Sequence, residues 1–240
     1  MKFGYQDALA YGGVTEAHPG GFSLTKRLLK AEGIRPGATI LDAGCGMGLT
    51  SAYLASEFKC KVYAVDAHPL MIKHASARVK KAKLPVKVLK GNIENLPFPD
   101  DSFDYVVTES ATIFTNIGRT LTEYFRVLKP SGVLIATELC CEAPLQKANE
   151  EKIKHFYNIG KIPTAQGWLS TLTKSGFREL RVLKSCSILQ ELENYQADFD
   201  QAENVTILDP AVEDILNEHS LLMMEFAEEL GYRVFRGVKK

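Results

Sequence analysis

The stretch that decides the fold is Leu41-Asp42-Ala43-Gly44-Cys45-Gly46-Met47-Gly48, an acid and three alternate glycines at the end of a short apolar run. The apolar residues directly before it predict a β-strand. Residues 49–58, directly after it, predict a helix in which Leu49, Tyr53 and Leu54 pack on a sheet. Glycine at alternate positions permits a tight turn and lets a ligand approach main-chain N–H groups, because no Cβ stands in the way. The stretch therefore predicts a strand, a ligand-binding turn and a helix in succession.

The same unit of strand and helix recurs on the C-terminal side of this stretch. Strands are predicted over residues 60–66, 86–91, 103–110 and 132–139, and helices over residues 69–82 and 117–129. Parallel strands need crossover connections, so this alternation predicts a mostly parallel sheet with helices on both faces. The expected fold class is a doubly wound, Rossmann-like α/β sheet.

The flanking segments are predicted to add further elements around this core. Upstream, residues 23–34 predict a helix that Ser23 caps and that Gly33 and Pro36 end. Downstream, helices are predicted over residues 167–177, 189–203 and 211–230, and strands over residues 178–189 and 232–240. The last strand is expected to run antiparallel to the others.

The composition limits the classes of protein and partner. The chain has 240 residues, 45% hydrophobic and 24% charged, which is enough for one domain with a buried core. Lys and Arg together number 29, as do Asp and Glu, so no basic excess favours a nucleic acid or an anionic membrane as partner. The first residues lack the pattern of a signal peptide and no run approaches ~20 apolar residues, which predicts a cytoplasmic protein. Five cysteines without CxxC spacing predict reduced thiols and no metal site.

Polar side chains follow the first three predicted strands of the core. Asp42 comes two residues before the first glycine, and the spacing GxGxG differs from the GxGxxG of dinucleotide sites. This arrangement suits a ligand with an amino-acid end, whose ammonium group Asp42 would face directly or through water. Asp66, at the next strand end, predicts hydrogen bonds to a ribose diol, with capping of the following helix as the alternative. The Asn92 side-chain oxygen and the Ile93 backbone predict contacts with an adenine, with a plain surface turn as the alternative.

Four ordered motifs resemble the class I S-adenosylmethionine-dependent methyltransferases, especially the small-molecule group that includes ubiquinone/menaquinone and sterol methylating enzymes. The motifs are LDAGCGMG (41–48), VYAVD (62–66), GNIENLPFPDDSFDYVV (91–107) and RVLKPSGVLIATE (126–138). The resemblance covers roughly Ile34 to Glu138 and implies that S-adenosylmethionine binds across the first four strand ends. Many relatives have Asp where this chain has Asn92, and Asn keeps an acceptor oxygen. The resemblance assigns the methionine part to Asp42, Gly44, the Cys45 backbone and Gly46, the ribose to Asp66 and Ala67, and the adenine to Asn92 and Ile93.

The resemblance also implies a reaction in which a methyl group moves from the sulfonium to a small-molecule acceptor by in-line displacement. The protein then has mainly to align the reacting atoms and exclude water. Where the acceptor must lose a proton, the candidate bases are Glu109, His18 and His155, in that order. Glu109 ends the fourth strand, and the resemblance implies that a residue at this position contacts the methionine end or the acceptor. The alternative is that it caps the next helix. At most one of Cys140 and Cys141 is expected to line the acceptor pocket, because adjacent residues of an extended chain point apart.

The expected organisation is one methyltransferase domain over residues 1–240. Within it we predict an N-terminal lid over residues 1–22, a cofactor-binding core over 34–139 and an acceptor-side cap over 140–166. A disordered leader is the alternative to the lid, and a homodimer is compatible with the sequence. The remaining histidines, His68, His74 and His219, need no functional role.

Two other functions remain open. An NAD(P)-linked oxidoreductase would use the same type of sheet, although the glycine spacing disfavours it. A non-catalytic module would keep the S-adenosylmethionine pocket as a sensor or partner subunit, because binding motifs alone do not establish turnover.

Overall fold

The computed structural model describes residues 3–15, 17–193 and 208–240. The strands in these ranges are β1 (Thr39–Ala43), β2 (Lys61–Asp66), β3 (Val86–Lys90), β4 (Phe103–Glu109), β5 (Leu128–Cys141), β6 (Phe177–Ser187) and β7 (Leu230–Lys239). The α-helices in the same ranges are α1 (Tyr5–Tyr11), α2 (Gly21–Glu32), α3 (Leu49–Glu57), α4 (Pro69–Lys81), α5 (Ile117–Val127), α6 (Lys147–Tyr157), α7 (Ala165–Lys174), α8 (Ile188–Glu193) and α9 (Pro210–Glu225). A 3-10 helix, Thr112–Phe114, follows β4.

The described strands form one sheet with the order β3-β2-β1-β4-β5-β7-β6. Neighbouring strands from β3 across to β5 are parallel, whereas β7 runs antiparallel to both β5 and β6. The strand order reverses direction at β1 and β4, and ligands of such sheets bind beyond the carboxyl ends of the strands at that point. The predicted doubly wound α/β class and its antiparallel last strand are confirmed.

Helices cover both faces of the sheet. Successive residues of a strand point to opposite faces, so each strand packs against helices on both sides. Ile40 and Leu41 of β1 are neighbours in the chain, and both are fully buried. Ile40 packs in a cluster with Leu54 of α3. Leu41 belongs to the cluster on the other face, with Tyr124 of α5 and Trp168 of α7. The sheet is therefore enclosed between two layers of helices, and its strand ends are left as the place for a site.

The helix before β1 begins earlier than the sequence predicted. α2 starts at Gly21, and Gly20 precedes it in the left-handed conformation with φ 81°. Ser23 lies exposed inside the helix, so the prediction that it caps the helix is wrong. A side chain on Gly20 would collide with Leu24, which explains the glycine at this start. The predicted end at Gly33 is confirmed, because Gly33 also takes the left-handed conformation.

Three helices outside the alternating core, α1, α6 and α9, pack together. α1 lies in the predicted lid and contacts α9, and α6 lies in the predicted cap over residues 140–166. The helix predicted over residues 189–203 is observed as α8 up to Glu193, and residues 194–203 lie outside the described residues. The helix predicted over residues 211–230 is α9, which ends at Glu225.

The described residues contain no helix with the length and apolar character needed to cross a membrane. The same residues contain no group of His, Cys, Asp and Glu arranged to hold a metal ion. All five cysteines are free and buried.

Candidate active site

A cavity of about 470 Å³ lies beyond the carboxyl ends of β1, β2, β3 and β4. This volume is in the range of small-molecule sites. The residues predicted to bind the cofactor all line this cavity: Asp42, Gly44, Cys45, Gly46, Asp66, Ala67, Asn92, Ile93 and Glu109. His18, from the segment between α1 and α2, lines it as well. The fold thus brings together predicted residues from four strand ends and from the predicted lid.

The glycine turn after β1 is tied to the end of β2 through its backbone. The N–H groups of Gly44 and Cys45 both donate to the Val65 carbonyl, with N to O distances of 2.8 and 3.0 Å. The Gly46 N–H donates to the Asp66 carboxylate at 2.9 Å. These three N–H groups therefore already have partners within the protein, and a ligand that approaches the turn meets a backbone held in place by them.

The glycines of this turn leave free the space that a Cβ atom would occupy. Gly44 has φ 77° and Gly46 has φ 50°, both in the left-handed region that favours glycine. A Cβ on Gly44 would collide with Ala111, whereas a Cβ on Gly46 would meet no protein atom within 4 Å. Because Gly46 lines the cavity, a side chain there would occupy volume that a bound molecule can use. The turn is therefore a cradle that fits a ligand in close contact with the backbone.

Asp42 is buried at the base of the cavity. It is 3% exposed, and its carboxylate accepts a hydrogen bond from the Ser51 hydroxyl of α3. Burial raises the pKa of Asp42 to about 7, and the carboxylates of Glu109 and Asp66 add to this increase, while the Ser51 hydrogen bond opposes it. A cation placed beside Asp42 would stabilise its ionised form. This environment suits a carboxylate that receives an ammonium group.

Asp66 connects the glycine turn to the beginning of α4. One carboxylate oxygen accepts from the Gly46 N–H, and the other accepts from the His68 N–H at 2.8 Å. The cap of α4 is His68, whose Nδ1 accepts from the Leu70 N–H at 3.2 Å. The alternative that Asp66 caps this helix is therefore wrong. Burial raises the pKa of the Asp66 carboxyl, although its N–H donors act in the opposite direction.

Asn92 and Ile93 form the wall of the cavity after β3. The Asn92 Oδ1 atom accepts from the Glu94 N–H at 2.8 Å, and a bridge pairs Asn92 with Asn95. The local structure is a turn, as the alternative interpretation of the sequence expected. Both residues nevertheless line the cavity. The Asn92 oxygen keeps a second lone pair for a ligand. Ile93 is 7% exposed and supplies an apolar wall.

Glu109 joins three elements at the end of β4. One carboxylate oxygen accepts from the Thr25 hydroxyl of α2, and the other accepts from the Thr50 hydroxyl of α3 at 2.6 Å. The His18 Nε2 atom lies 3.7 Å from the first oxygen, with the His18 and Glu109 side chains only 10% and 12% exposed. Asn116 caps α5, so the alternative that Glu109 caps it is wrong. The structure places two of the predicted bases, Glu109 and His18, side by side.

Ser110, directly after Glu109, has a strained backbone. Its φ of 52° lies in the left-handed region, which is costly for a residue with a Cβ. Its N–H donates to the Thr137 carbonyl at 2.7 Å, but its buried hydroxyl has no hydrogen-bond partner among the described residues. Ser110 lines the cavity, so a bound molecule can satisfy this hydroxyl. Sequence reasoning missed Ser110, because nothing in the chain marks its conformation.

The part of the cavity under α1 and α9 is aromatic, and the sequence did not predict it. The Tyr5 ring of α1 lies 5.0 Å from the Tyr157 ring of α6 and 4.8 Å from the His219 ring of α9, measured between centroids. The Tyr157 hydroxyl lies 2.7 Å from His219 Nδ1, and the Phe114 ring stacks 6.2 Å from Tyr5. We name these four residues, which all line the cavity, the aromatic end. The sequence assigned no role to His219, so its position in the cavity was not predicted. His219 and Met223 share one face of the predicted helix, and both line the cavity.

Three other candidates from the sequence lie away from the cavity wall. His155 is exposed on α6, so its prediction as a base is wrong. Cys140 and Cys141 are buried within β5, and the preceding residue, Leu139, lines the cavity instead. The Cys141 thiol donates to the Ile162 carbonyl at 3.1 Å, which directs it toward the segment after α6.

Comparison with known proteins agrees with this geometry. Residues 41–136 match the methyltransferase domain family. YodH, an uncharacterized methyltransferase of Bacillus subtilis (strain 168), is 33% identical over 235 residues, which cover 98% of this chain and 99% of YodH. The chain therefore belongs to the class I S-adenosylmethionine-dependent methyltransferases.

Further relatives carry named activities of their own. The sterol 24-C-methyltransferase of Pneumocystis carinii (strain B80) is 32% identical over 155 residues, or 63% of this chain and 40% of that enzyme. Phosphoethanolamine N-methyltransferase 2 of Haemonchus contortus, solved with S-adenosyl-L-methionine, superposes with a TM-score of 0.78 at 21% identity. That superposition covers 97% of this chain and 56% of the other, and it shows the shared fold.

Proposed function

We propose that the cavity binds S-adenosylmethionine across the ends of β1, β2, β3 and β4. The methionine part would lie over the glycine turn with its ammonium group toward Asp42. The ribose would meet Asp66 and Ala67, and the adenine would meet Asn92 and Ile93. The observation that carries this proposal is that these residues, from successive strand ends, line one cavity. The open space at Gly46 and the unpaired Ser110 hydroxyl support a bound molecule at the same place.

Glu109 and His18 are proposed to act as a pair. Bound S-adenosylmethionine supplies a methyl group on a sulfonium, so the chain has to orient the acceptor and exclude water. Thr25 and Thr50 fix both oxygens of Glu109, which leaves the carboxylate beside His18. A proton taken from the acceptor by His18 would form an imidazolium next to this carboxylate, and the carboxylate would stabilise it.

The methyl acceptor is proposed to be a small molecule, delivered under a lid formed by residues 1–22. Relatives named as sterol and phosphoethanolamine methyltransferases support this class of acceptor. The net charge of zero gives no support for a nucleic acid as acceptor. The cytoplasmic location, the acceptor-side cap over 140–166 and the homodimer stay predictions.

Production of S-adenosylhomocysteine tests this function. Purified protein is incubated with S-adenosylmethionine and a panel of hydroxyl, amine and carbon acceptors, and S-adenosylhomocysteine is quantified by mass spectrometry. We expect acceptor-dependent product, and for a hydroxyl acceptor a loss of roughly 100-fold in kcat on Glu109→Gln or His18→Gln. His155→Gln is the matched control, because His155 is exposed on α6. Cofactor binding without turnover on any acceptor would instead indicate a non-catalytic module.

A further inference from the structure

We infer that the aromatic end is the acceptor subsite and that it takes an uncharged molecule with an apolar or aromatic body and a hydroxyl group. The inference rests on the proposed function, since it concerns the acceptor of the same cavity. It follows from the position of the aromatic end, from the charges around the cavity and from the hydrogen-bonding groups that remain.

The segment after β4 connects the aromatic end to the glycine turn. At its beginning, Ala111 lies directly against Gly44, so close that a Cβ on Gly44 would collide with it. At its end, the Phe114 ring stacks on Tyr5 of α1. Between them, Ile113 also lines the cavity. A molecule bound at the aromatic end therefore lies along one continuous wall from the turn where the methionine part is proposed.

The walls around the aromatic end favour an apolar body. Leu9 of α1, Leu139 of β5, Ile159 after α6 and Met223 of α9 line the cavity together with the aromatic rings. None of these side chains is charged. Burial of apolar surface against such walls stabilises a complex by about 25 cal/mol per Å².

Within the described residues, the aromatic end offers no cationic side chain to an anionic acceptor. Among the described residues that line it there is neither Lys nor Arg. Residues 194–207, which lie outside the described ranges, contain neither in their sequence, so Lys2 is the one cationic residue outside those ranges. Burial lowers the pKa of His219 to about 4, which keeps its imidazole neutral at physiological pH. A phosphate or carboxylate bound at the aromatic end would have no counter-ion among the described side chains there, at a high cost in free energy.

A cationic acceptor is disfavoured because the described residues of the aromatic end include no carboxylate. The carboxylates that line the cavity, Asp42, Asp66, Glu94 and Glu109, belong to the strand ends and to the turn after β3. Asp42 and Asp66 are assigned above to the cofactor, and Glu109 already accepts hydrogen bonds from two threonines. The aromatic end itself contributes no carboxylate. An ammonium group there would have no ionic partner in the described residues.

Hydrogen-bonding groups at the aromatic end suit a hydroxyl. The Tyr157 hydroxyl and His219 Nδ1 share one hydrogen bond of 2.7 Å, which fixes both side chains. The Tyr5 hydroxyl makes no hydrogen bond to another described residue, while Tyr5 is 7% exposed and lines the cavity. Tyrosine hydroxyls both donate and accept, as an acceptor hydroxyl does. Tyr5 and Tyr157 can therefore hold a neutral hydroxyl without a net charge on either partner.

Three probes that share one tail test the charge preference. The protein loaded with S-adenosylhomocysteine is titrated calorimetrically with 4-hexylphenol, 4-hexylbenzoate and 4-hexylbenzylamine. We expect the neutral phenol to bind about tenfold or more tightly than either ionic probe, because only the ionic probes bury an unpaired charge. Tyr157→Phe and Tyr5→Phe should each weaken phenol binding about threefold to tenfold. Tyr11→Phe is the matched control, since Tyr11 also lies on α1 but is 62% exposed.

The outcomes separate this inference from the proposed function. Unchanged affinity of all variants for S-adenosylhomocysteine, with weaker phenol binding in Tyr157→Phe and Tyr5→Phe alone, supports the inference. Benzoate or benzylamine binding as tightly as the phenol would overturn it. So would the absence of phenol binding in a protein that binds S-adenosylhomocysteine, or phenol binding that neither variant changes. A wild-type protein that does not bind S-adenosylhomocysteine would overturn the proposed function itself.

Discussion

Asp66 accepts a hydrogen bond from the Gly46 N–H at 2.9 Å, so the acid at the end of β2 holds the glycine turn that follows β1. Its other oxygen accepts from the His68 N–H, which fixes the carboxylate on its second side. Each oxygen of an ionised carboxylate can accept a further hydrogen bond, which leaves Asp66 able to receive a diol. The turn and the proposed ribose site are therefore one structural unit.

Replacing Asp66 tests this unit. Asp66→Ala removes acceptors for the ribose and the anchor of the Gly46 N–H, so we expect S-adenosylhomocysteine to bind about 10- to 100-fold more weakly. Asp66→Asn keeps one acceptor oxygen and should lose less. Calorimetric titration measures both, with thermal unfolding as the control for folding. Unchanged affinity in Asp66→Ala would remove Asp66 from the site.

Gly46 tests whether the turn touches the ligand. Gly46→Ala is compared with Gly33→Ala, because both glycines have a positive φ and no protein atom within 4 Å of an added Cβ. Both variants should lose about 1 kcal/mol of folding stability from backbone strain. Only Gly46→Ala should also lose binding of S-adenosylhomocysteine, by about tenfold or more, since its methyl group enters the cavity. Equal binding by the two variants would show that the ligand lies elsewhere.

Asp42 determines how cofactor binding varies with pH. Burial raises its pKa to about 7, so Asp42 is mostly protonated at about pH 6 and mostly ionised at about pH 8 in the free protein. The ammonium of S-adenosylhomocysteine favours the ionised form, and binding therefore lowers this pKa and releases a proton. Affinity should rise with pH up to about pH 7, by at most about tenfold per unit, and then level off.

Titrations from about pH 5.5 to about pH 8.5 measure this dependence. In Asp42→Asn the group no longer titrates, so the affinity should become nearly constant over the same range. A wild-type affinity that does not vary with pH would contradict the assignment, as would the same slope in Asp42→Asn.

His68 and Asp7 connect the predicted lid to the core. The Nδ1 atom of His68 accepts from the Leu70 N–H, so Nε2 carries the proton that faces the Asp7 carboxylate, 3.2 Å away. Asparagine caps helices well but is too short to reach Asp7, so His68→Asn separates the two contacts. We expect S-adenosylhomocysteine to dissociate about two- to fivefold faster, with little change in thermal stability. Stopped-flow measurement of an unchanged dissociation rate would show that this contact does not hold the lid.

The parts of the site that the sequence predicted are those set by local pattern. Asp42 is the next-to-last residue of β1, and Asp66 and Glu109 end β2 and β4. Parallel topology alone brings the ends of such strands to one edge. The glycine spacing after β1 likewise predicted a tight turn, and Gly46 has the expected open space above it. These inferences need only the order of strands and helices.

The parts that escaped prediction depend on contacts between distant segments. The Gly44 N–H donates to the Val65 carbonyl of the neighbouring strand, a contact that the glycine spacing alone does not specify. His219 reaches the cavity because α9 packs on α1, and the sequence of α9 does not specify that contact. Ser23 looked like a helix cap, yet the left-handed Gly20 places the start of α2 before it.

The central claim is that these strand ends hold S-adenosylmethionine, and calorimetric titration of the wild-type protein tests it most directly. The protein is titrated separately with S-adenosylhomocysteine and with NADH under the same conditions. We predict saturable one-to-one binding of S-adenosylhomocysteine and no binding of NADH. Binding of NADH with no binding of S-adenosylhomocysteine would contradict the account.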